Sequence, residues 1–213
     1  MKKTSSPVMK AFLSHQLPDT KSDWRDLPIV AVDLETTGLD PEKDRIISIG
    51  LVEIHHGNIM LDTAWHRIVS TSKEIPEESA IVHHLTDDVV ATGEHIEDIM
   101  PELLQRLSGK IMLVHYEFVE TQFINTACQR LYGSPFLIHT VDTLKLAYKQ
   151  MIKRNHTVQT GELRLFNLRK IYKLPEYKAH NALYDAIATA ELFMAMSAES
   201  NPQGKKILGD YLT

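Results

Sequence analysis

Two carboxylates one residue apart, Asp33 and Glu35, follow an apolar run over 29–32 in this 213-residue chain. The run, Ile-Val-Ala-Val, has the pattern of a strand buried on both faces. Alternate residues of a strand share a face, so the two acids project together from its end. Like charges side by side on a buried strand repel each other unless a cation lies between them. An all-oxygen donor set suits Mg²⁺ or Mn²⁺ rather than zinc. A solvated pair of acids is the plainer reading of Asp-x-Glu, so the rest of the chain has to decide. Thr36, Thr37 and Gly38 then turn the chain, and they are small enough for a substrate backbone to come close.

The stretch 33–39, Asp-Leu-Glu-Thr-Thr-Gly-Leu, resembles the first motif of the DEDD 3′→5′ exonucleases. That group includes the epsilon proofreading subunit of bacterial DNA polymerase III and ribonuclease T. A second segment, His180-Asn181-Ala182-Leu183-Tyr184-Asp185-Ala186, matches the family's third motif, His-x-Ala-Leu-x-Asp-Ala, at each position. Its histidine marks the DEDDh branch; the DEDDy branch carries Tyr where this chain has Asn181. His and Asp at this spacing also occur as a helix-capping pair, but their order and distance from 33–39 favour the motif. The resemblance implies that Asp185 ligates a metal from a helix while His180, on the loop before it, acts as general base. Imidazole suits that task because its ordinary pKa lies near the working pH.

The family's second motif, Val-x-His-Asn-x-x-Phe-Asp-x-x-Phe, is similar to residues 114–124 but departs from them. Five residues after His115 stands Glu120, with Phe123 three further on; Tyr116 replaces Asn and Val119 replaces Phe. Glutamate keeps the charge and adds a methylene, a shift that a metal site feels. Glu117 is a rival ligand in a register the family does not use. The resemblance thus implies Asp33, Glu35, Glu120 and Asp185 as ligands of two Mg²⁺ or Mn²⁺ ions. It places a terminal 3′-OH near Thr36 and Thr37, with Leu39 as a wedge under the last base. Tyr116 and Phe118 are candidates for stacking on bases; for Phe118 the pattern favours core. The segment 81–86, with His83 and His84, is a partial match to a further family stretch.

The activity implied is metal-dependent 3′→5′ hydrolysis of terminal phosphodiesters of DNA or RNA, releasing nucleoside 5′-monophosphates. An exoribonuclease trimming RNA or short oligonucleotides is one alternative. A catalytically weakened, polymerase-associated nucleic-acid-binding module is another. Partners are then single-stranded DNA or RNA 3′ ends, with a polymerase or a second copy of the chain as protein partner.

Around these residues the pattern is α/β, with a five-stranded mixed sheet flanked by helices; the resemblance implies a ribonuclease H-like arrangement. Strands are expected over 29–32, 45–54, 59–69, 110–115 and 136–141, with a hairpin turn at 56–58. Helices are expected over 95–107 (its second part starting at Pro101), 117–132, 163–171 and 183–197, and a short one after Pro202. In 117–132 the apolar face is Phe118, Phe123, Ile124, Ala127 and Leu131, with Gly133 as the stop. Asp142 caps the helix that follows it. Residues 1–26 read as an N-terminal appendage, with a short helix over 8–13, and 27–213 as the exonuclease domain. The lone Cys128 excludes an internal disulfide and a cysteine zinc cluster. No apolar run reaches the roughly 20 residues of a membrane span and no signal peptide is evident, so a cytoplasmic location is expected. Net charge is −5. Residues 145–178 hold nine Lys/Arg against two Glu, a net of +7 that leaves −12 for the rest. That tract suits a phosphate track or, equally, solvated helix faces. Adjacent histidines, 55–56 and 83–84, point to opposite faces of a strand and make poor metal pairs.

Overall fold

The computed structural model describes residues 6–73, 75–76, 85–200 and 206–212. Strands β1 (Ile29–Thr36), β2 (Ile46–His55) and β3 (Asn58–Ile68) form an antiparallel meander. The β2–β3 turn is His56-Gly57, both at positive φ (48° and 71°), a handedness that suits the strand twist. Strand β4 (Ile111–Val114) then pairs parallel to β1, and β5 (His139–Asp142) parallel to β4. The order is β3-β2-β1-β4-β5, which puts the acid-bearing strand in the middle. Apolar patterning could not give this order, because it reports burial and not neighbours.

The helices are α1 (Pro7–Ser14), α2 (Asp87–Ala91), α3 (Ile96–Leu107), α4 (Glu117–Tyr132), α5 (Thr143–Lys153), α6 (Leu165–Ile171) and α7 (Ala182–Ser200). They cover the two faces of the sheet. Val30, Val32 and Leu34 pack with α1, α3 and α4, whereas Ile29 and Ala31 pack with α5, α6 and α7. Asp33 and Glu35 continue the second parity and so face the α7 layer. Among the described residues no helix is long and apolar enough to cross a membrane.

Several expectations change. Pro101 does not start a new helix: α3 runs through it. The loss of one N–H costs a helix bond, which a fully apolar face (Ile99, Met100, Leu103, Leu104, Leu107) offsets by burial. The fifth strand starts at His139, not 136; Phe136 instead stacks on Phe12 of α1, ring centroids 5.4 Å apart. Met9 and Phe12 are thereby buried in the same core as the sheet. Phe118 is 48% exposed rather than core, because the apolar stripe of α4 begins at Phe123 and Ile124. The segment 77–84, which holds the pair His83 and His84, and Pro202 lie outside the described residues. The closing helix is a short 3₁₀ turn, Leu208–Asp210.

The basic tract 145–178 is also partly internal. Arg169 is only 1% exposed. Its guanidinium donates to the carbonyls of Ala188 (2.7 Å) and Pro175 (2.8 Å), pairs with Glu191 (2.7 Å) and lies over the Tyr177 ring. One side chain therefore ties α6, the loop after it and α7 together. Lys145 pairs with Glu117 and Arg154 with Glu199. Replacing Arg169 with Met should cost about 2–4 kcal/mol, since it strips buried carbonyls and Glu191 of their donor. Urea unfolding would measure this, and a change within about 0.5 kcal/mol would show that the tie contributes nothing.

Candidate active site

The site is built where β1 ends. Strand pairing sets Asp33 opposite Gly50 of β2 and Glu35 opposite Ser48, and the register slips by one residue just after Glu35. A bulge at that point lets the chain turn away while both acids stay on one face. Gly50 has a second duty that sequence reading missed. A Cβ there would stand 2.2 Å from the carbonyl carbon of Ala182 and from the Leu183 nitrogen. Only glycine lets the start of α7 lie directly on the sheet beside Asp33.

Helix α7 starts from Asn181, whose side chain accepts from the Tyr184 N–H (3.2 Å), an N-cap contact. This is the structural use of the position where the sister branch carries tyrosine. Asp185, one turn in, reaches back and accepts from the His180 N–H at 3.0 Å. His180 sits at φ +66° with an exposed side chain. One ligand atom each from Glu35, His180 and Asp185 lie within 4.8 Å of one another. Asp33 and Glu120 fall outside that close group but line the same cleft, with Thr36, Thr37, Leu39 and His115.

Glu120 arrives from the other layer. It is 3% exposed and, among the described residues, no donor reaches its Oε2. Glu117 is engaged elsewhere, accepting from Thr140 (2.8 Å) and paired with Lys145, and does not line the cleft. The start of α4 is fixed by Asp142. Its carboxylate accepts from the backbone N–H of Tyr116 (3.0 Å) and Glu117 (3.1 Å) besides capping α5 through Leu144 (2.9 Å). Tyr116 is held at φ +79°, a region where Asn is at home and Tyr is not. His115, between them, donates from Nε2 to the Leu163 carbonyl (2.9 Å) and meets the Thr143 hydroxyl at Nδ1 (2.8 Å). Burial lowers its pKa to about 4, and with both ring nitrogens engaged it serves as a neutral strut.

The electrostatics call for a cation. Burial, then Glu35, Glu120 and Asp185, push the Asp33 carboxyl well above the usual range. Glu120 is raised chiefly by burial, with Asp142, Glu35 and Glu117 adding to it. Among the described residues lining the cleft there is no Lys or Arg. Four carboxylates on one cleft, with an unpartnered buried oxygen on Glu120, fit a hard divalent ion.

The loop residues that line the cleft also have structural partners. Thr37 donates its hydroxyl to Asp44 (3.2 Å) and accepts from the Arg45 N–H (3.0 Å); Thr36 donates to the Gly38 carbonyl (2.7 Å). Both hydroxyls brace the loop. Gly38 lines the cleft and also makes room for Asp44, since a Cβ there would meet Asp44 Oδ2 at 2.4 Å. Leu39, 71% exposed, stands at the lip. His55 pairs with Glu53 (2.7 Å), itself paired to Lys110 (2.7 Å), and shares nothing with His56.

Four carboxylates and an imidazole meet at the end of the central strand, and residues 30–193 match the RNase_T family model of exonucleases. The chain belongs to the DEDDh 3′→5′ exonuclease family. It is 31% identical over 176 residues, 81% of its length, to a PolC-type DNA polymerase III of Thermotoga maritima. It spans only 12% of that relative. Among solved structures it resembles exonuclease X in complex with 5′-overhanging duplex DNA: TM-score 0.64, 21% identity, 86% of this chain and 98% of that one. It also resembles the nuclease domain of 3′hExo, a DEDDh family member bound to rAMP: TM-score 0.69, 18% identity, 87% of this chain and 96% of that one. These likenesses establish the ribonuclease H-like fold.

Two measurements follow. Gly50→Ala should push α7 off the sheet and lower turnover at least about tenfold. Full activity would show that the helix can retreat without moving Asp185. The second concerns pH. Raised carboxyls favour the metal-free fold in their protonated form, a contribution present below ordinary carboxylate values and lost as pH rises through the raised ones. The thermal midpoint with Mg²⁺ minus that in EDTA should therefore widen as pH rises, by about 3 °C or more per pH unit while one proton is released. His115, lowered to about 4, slopes the other way but cancels in the difference. A difference that stays flat with pH would count against a cation among these acids.

Proposed function

We propose that the chain hydrolyses the terminal phosphodiester of single-stranded DNA from the 3′ end and releases nucleoside 5′-monophosphates. The observation that carries this reading is the convergence of Asp33, Glu35, Glu120 and Asp185 with exposed His180 on one cleft that holds no cation among its described lining residues. DNA is favoured because the relative is a DNA polymerase, and a polymerase is accordingly the protein partner we favour. Two Mg²⁺ or Mn²⁺ ions held by the four carboxylates would, when bound, make a water nucleophilic and stabilise charge on the leaving 3′ oxygen.

The chain's own residues do the rest. His180 accepts the proton of the attacking water as its oxygen bonds to phosphorus. The bond from phosphorus to the 3′ oxygen of the penultimate nucleotide breaks, and that oxygen is protonated from solvent. Exposure suits His180 to this role, because a base has to pass its proton on. The Asp185 contact to the His180 N–H keeps base and ligand in register. Thr36 and Thr37 offer backbone to the terminal sugar while their hydroxyls hold the loop, and Leu39 supports the last base from the lip.

The test is shortening of 5′-labelled single-stranded DNA and RNA with Mg²⁺ or Mn²⁺. A ladder from the 3′ end is expected, faster on DNA. Asp33→Ala should abolish it, and His180→Ala should slow it about 10²–10⁴-fold. Glu120→Asp should be impaired because its carboxylate stops one methylene short. Faster trimming of RNA would favour the exoribonuclease alternative. Binding without turnover, restored by Glu120→Asp, would replace the reading with a nucleic-acid-binding module.

A further inference from the structure

The scissile phosphate joins two nucleotides, so the site has to seat the group that leaves as well as the one released. The first cleft provides for one. A second cleft of about 700 Å³ opens beside it, and Asp33, His180 and Asp185 line both. Its own walls include Tyr116, Leu163, Phe166 and Arg164. An aromatic and aliphatic floor fits the face of a base, and a guanidinium at the edge fits a phosphate. Arg164 is the one cation among the described residues lining either cleft. Lys145, Arg154 and Arg169 are committed to ion pairs, whereas Arg164 forms none among the described residues.

Tyr116 supplies an independent observation. Its backbone is held at φ +79° by Asp142, where Asn or Gly would be less strained. Its side chain is 48% exposed, so core packing does not explain the ring. Phe118, equally exposed, lies 6.1 Å away between ring centroids and extends the same aromatic surface outward.

We propose that the second cleft is the subsite of the penultimate nucleotide, its base stacked on Tyr116 and Phe166 and its 5′-phosphate met by Arg164. This rests on the exonuclease reading. Incoming strand would leave over Tyr116 and Phe118.

The test compares two substrates. A p-nitrophenyl ester of thymidine 5′-monophosphate fills only the terminal-nucleotide site; a single-stranded oligonucleotide fills both. For Tyr116→Asn the loss in kcat/KM on the oligonucleotide should exceed that on the ester by about fivefold or more. The thermal midpoint should hold or rise, because Asn suits the backbone there. For Arg164→Ala the salt dependence of oligonucleotide KM should fall by about one phosphate contact. Equal losses on both substrates would overturn the proposal, as would no loss on either. Weakened inhibition by thymidine 5′-monophosphate with oligonucleotide kcat/KM unchanged would make the cleft a product exit instead. A wild type that cleaves neither substrate refutes the exonuclease reading itself.

Discussion

Like charges held close at low dielectric repel, and this repulsion among Asp33, Glu35, Glu120 and Asp185 is the constraint the structure has to meet. Two unit charges about 5 Å apart at an effective dielectric of about 20 cost about 3 kcal/mol. A few such pairs rival the whole stability of a domain, about 5–15 kcal/mol. The fold therefore spreads the acids over elements that cannot move apart together. Two stand on the central strand, one on α7 and one on α4. Retreat of α7 would uncover Ala186, Ala188, Ala190 and Phe193, all buried against the sheet layer. Relief then comes from protonation or from a cation, not from rearrangement.

Asp142 extends this logic beyond the cleft. One fully buried carboxylate accepts from Tyr116, Glu117 and Leu144, so the starts of α4 and α5 are set by the same two oxygens. The arrangement fixes how far Glu120 projects. With the helix start pinned, the extra methylene of glutamate has to be taken up by the side chain. Glu120 enters from the layer opposite α7 and stands outside the close group of Glu35, His180 and Asp185, so its longer side chain reaches the cleft from the far side.

Asp33, Glu35 and the sheet class left local signals in the sequence, an apolar run ending in Asp-x-Glu and the alternation of strand and helix patterns, whereas Glu120, His180 and Asp185 came from the resemblance to the family's motifs; the structure brings all five to one cleft. The supports were not legible. Gly50 is an ordinary strand glycine until α7 is known to lie 2.2 Å from where its Cβ would be. Arg169 reads as part of a basic tract, yet it is a buried tie whose partners come from the loop near Pro175 and from Glu191 and Ala188 on α7. Phe118 fits a helical stripe by spacing, but the stripe's phase is set by where α4 meets the sheet. Thr37 looked available to substrate until Asp44 and Arg45 claimed its hydroxyl. In each case the missing information is a contact between residues far apart in sequence, and patterning within one segment carries none of it.

The contrast between the acids and the histidine completes the picture. Glu35, Glu120 and Asp185 are buried, while His180 is exposed at the rim of the same cleft. Burial strengthens the pull of carboxylates on a cation, since fewer waters compete for it. A base needs the opposite environment, because a proton taken in a sealed pocket has nowhere to go. Exposure alone would leave the imidazole poorly placed. The loop that carries it is therefore tied at both ends, to Arg169 through the Pro175 carbonyl and to Asp185 through the His180 N–H. The backbone is fixed where the side chain meets solvent, and the imidazole proposed as the base is held in position without being buried.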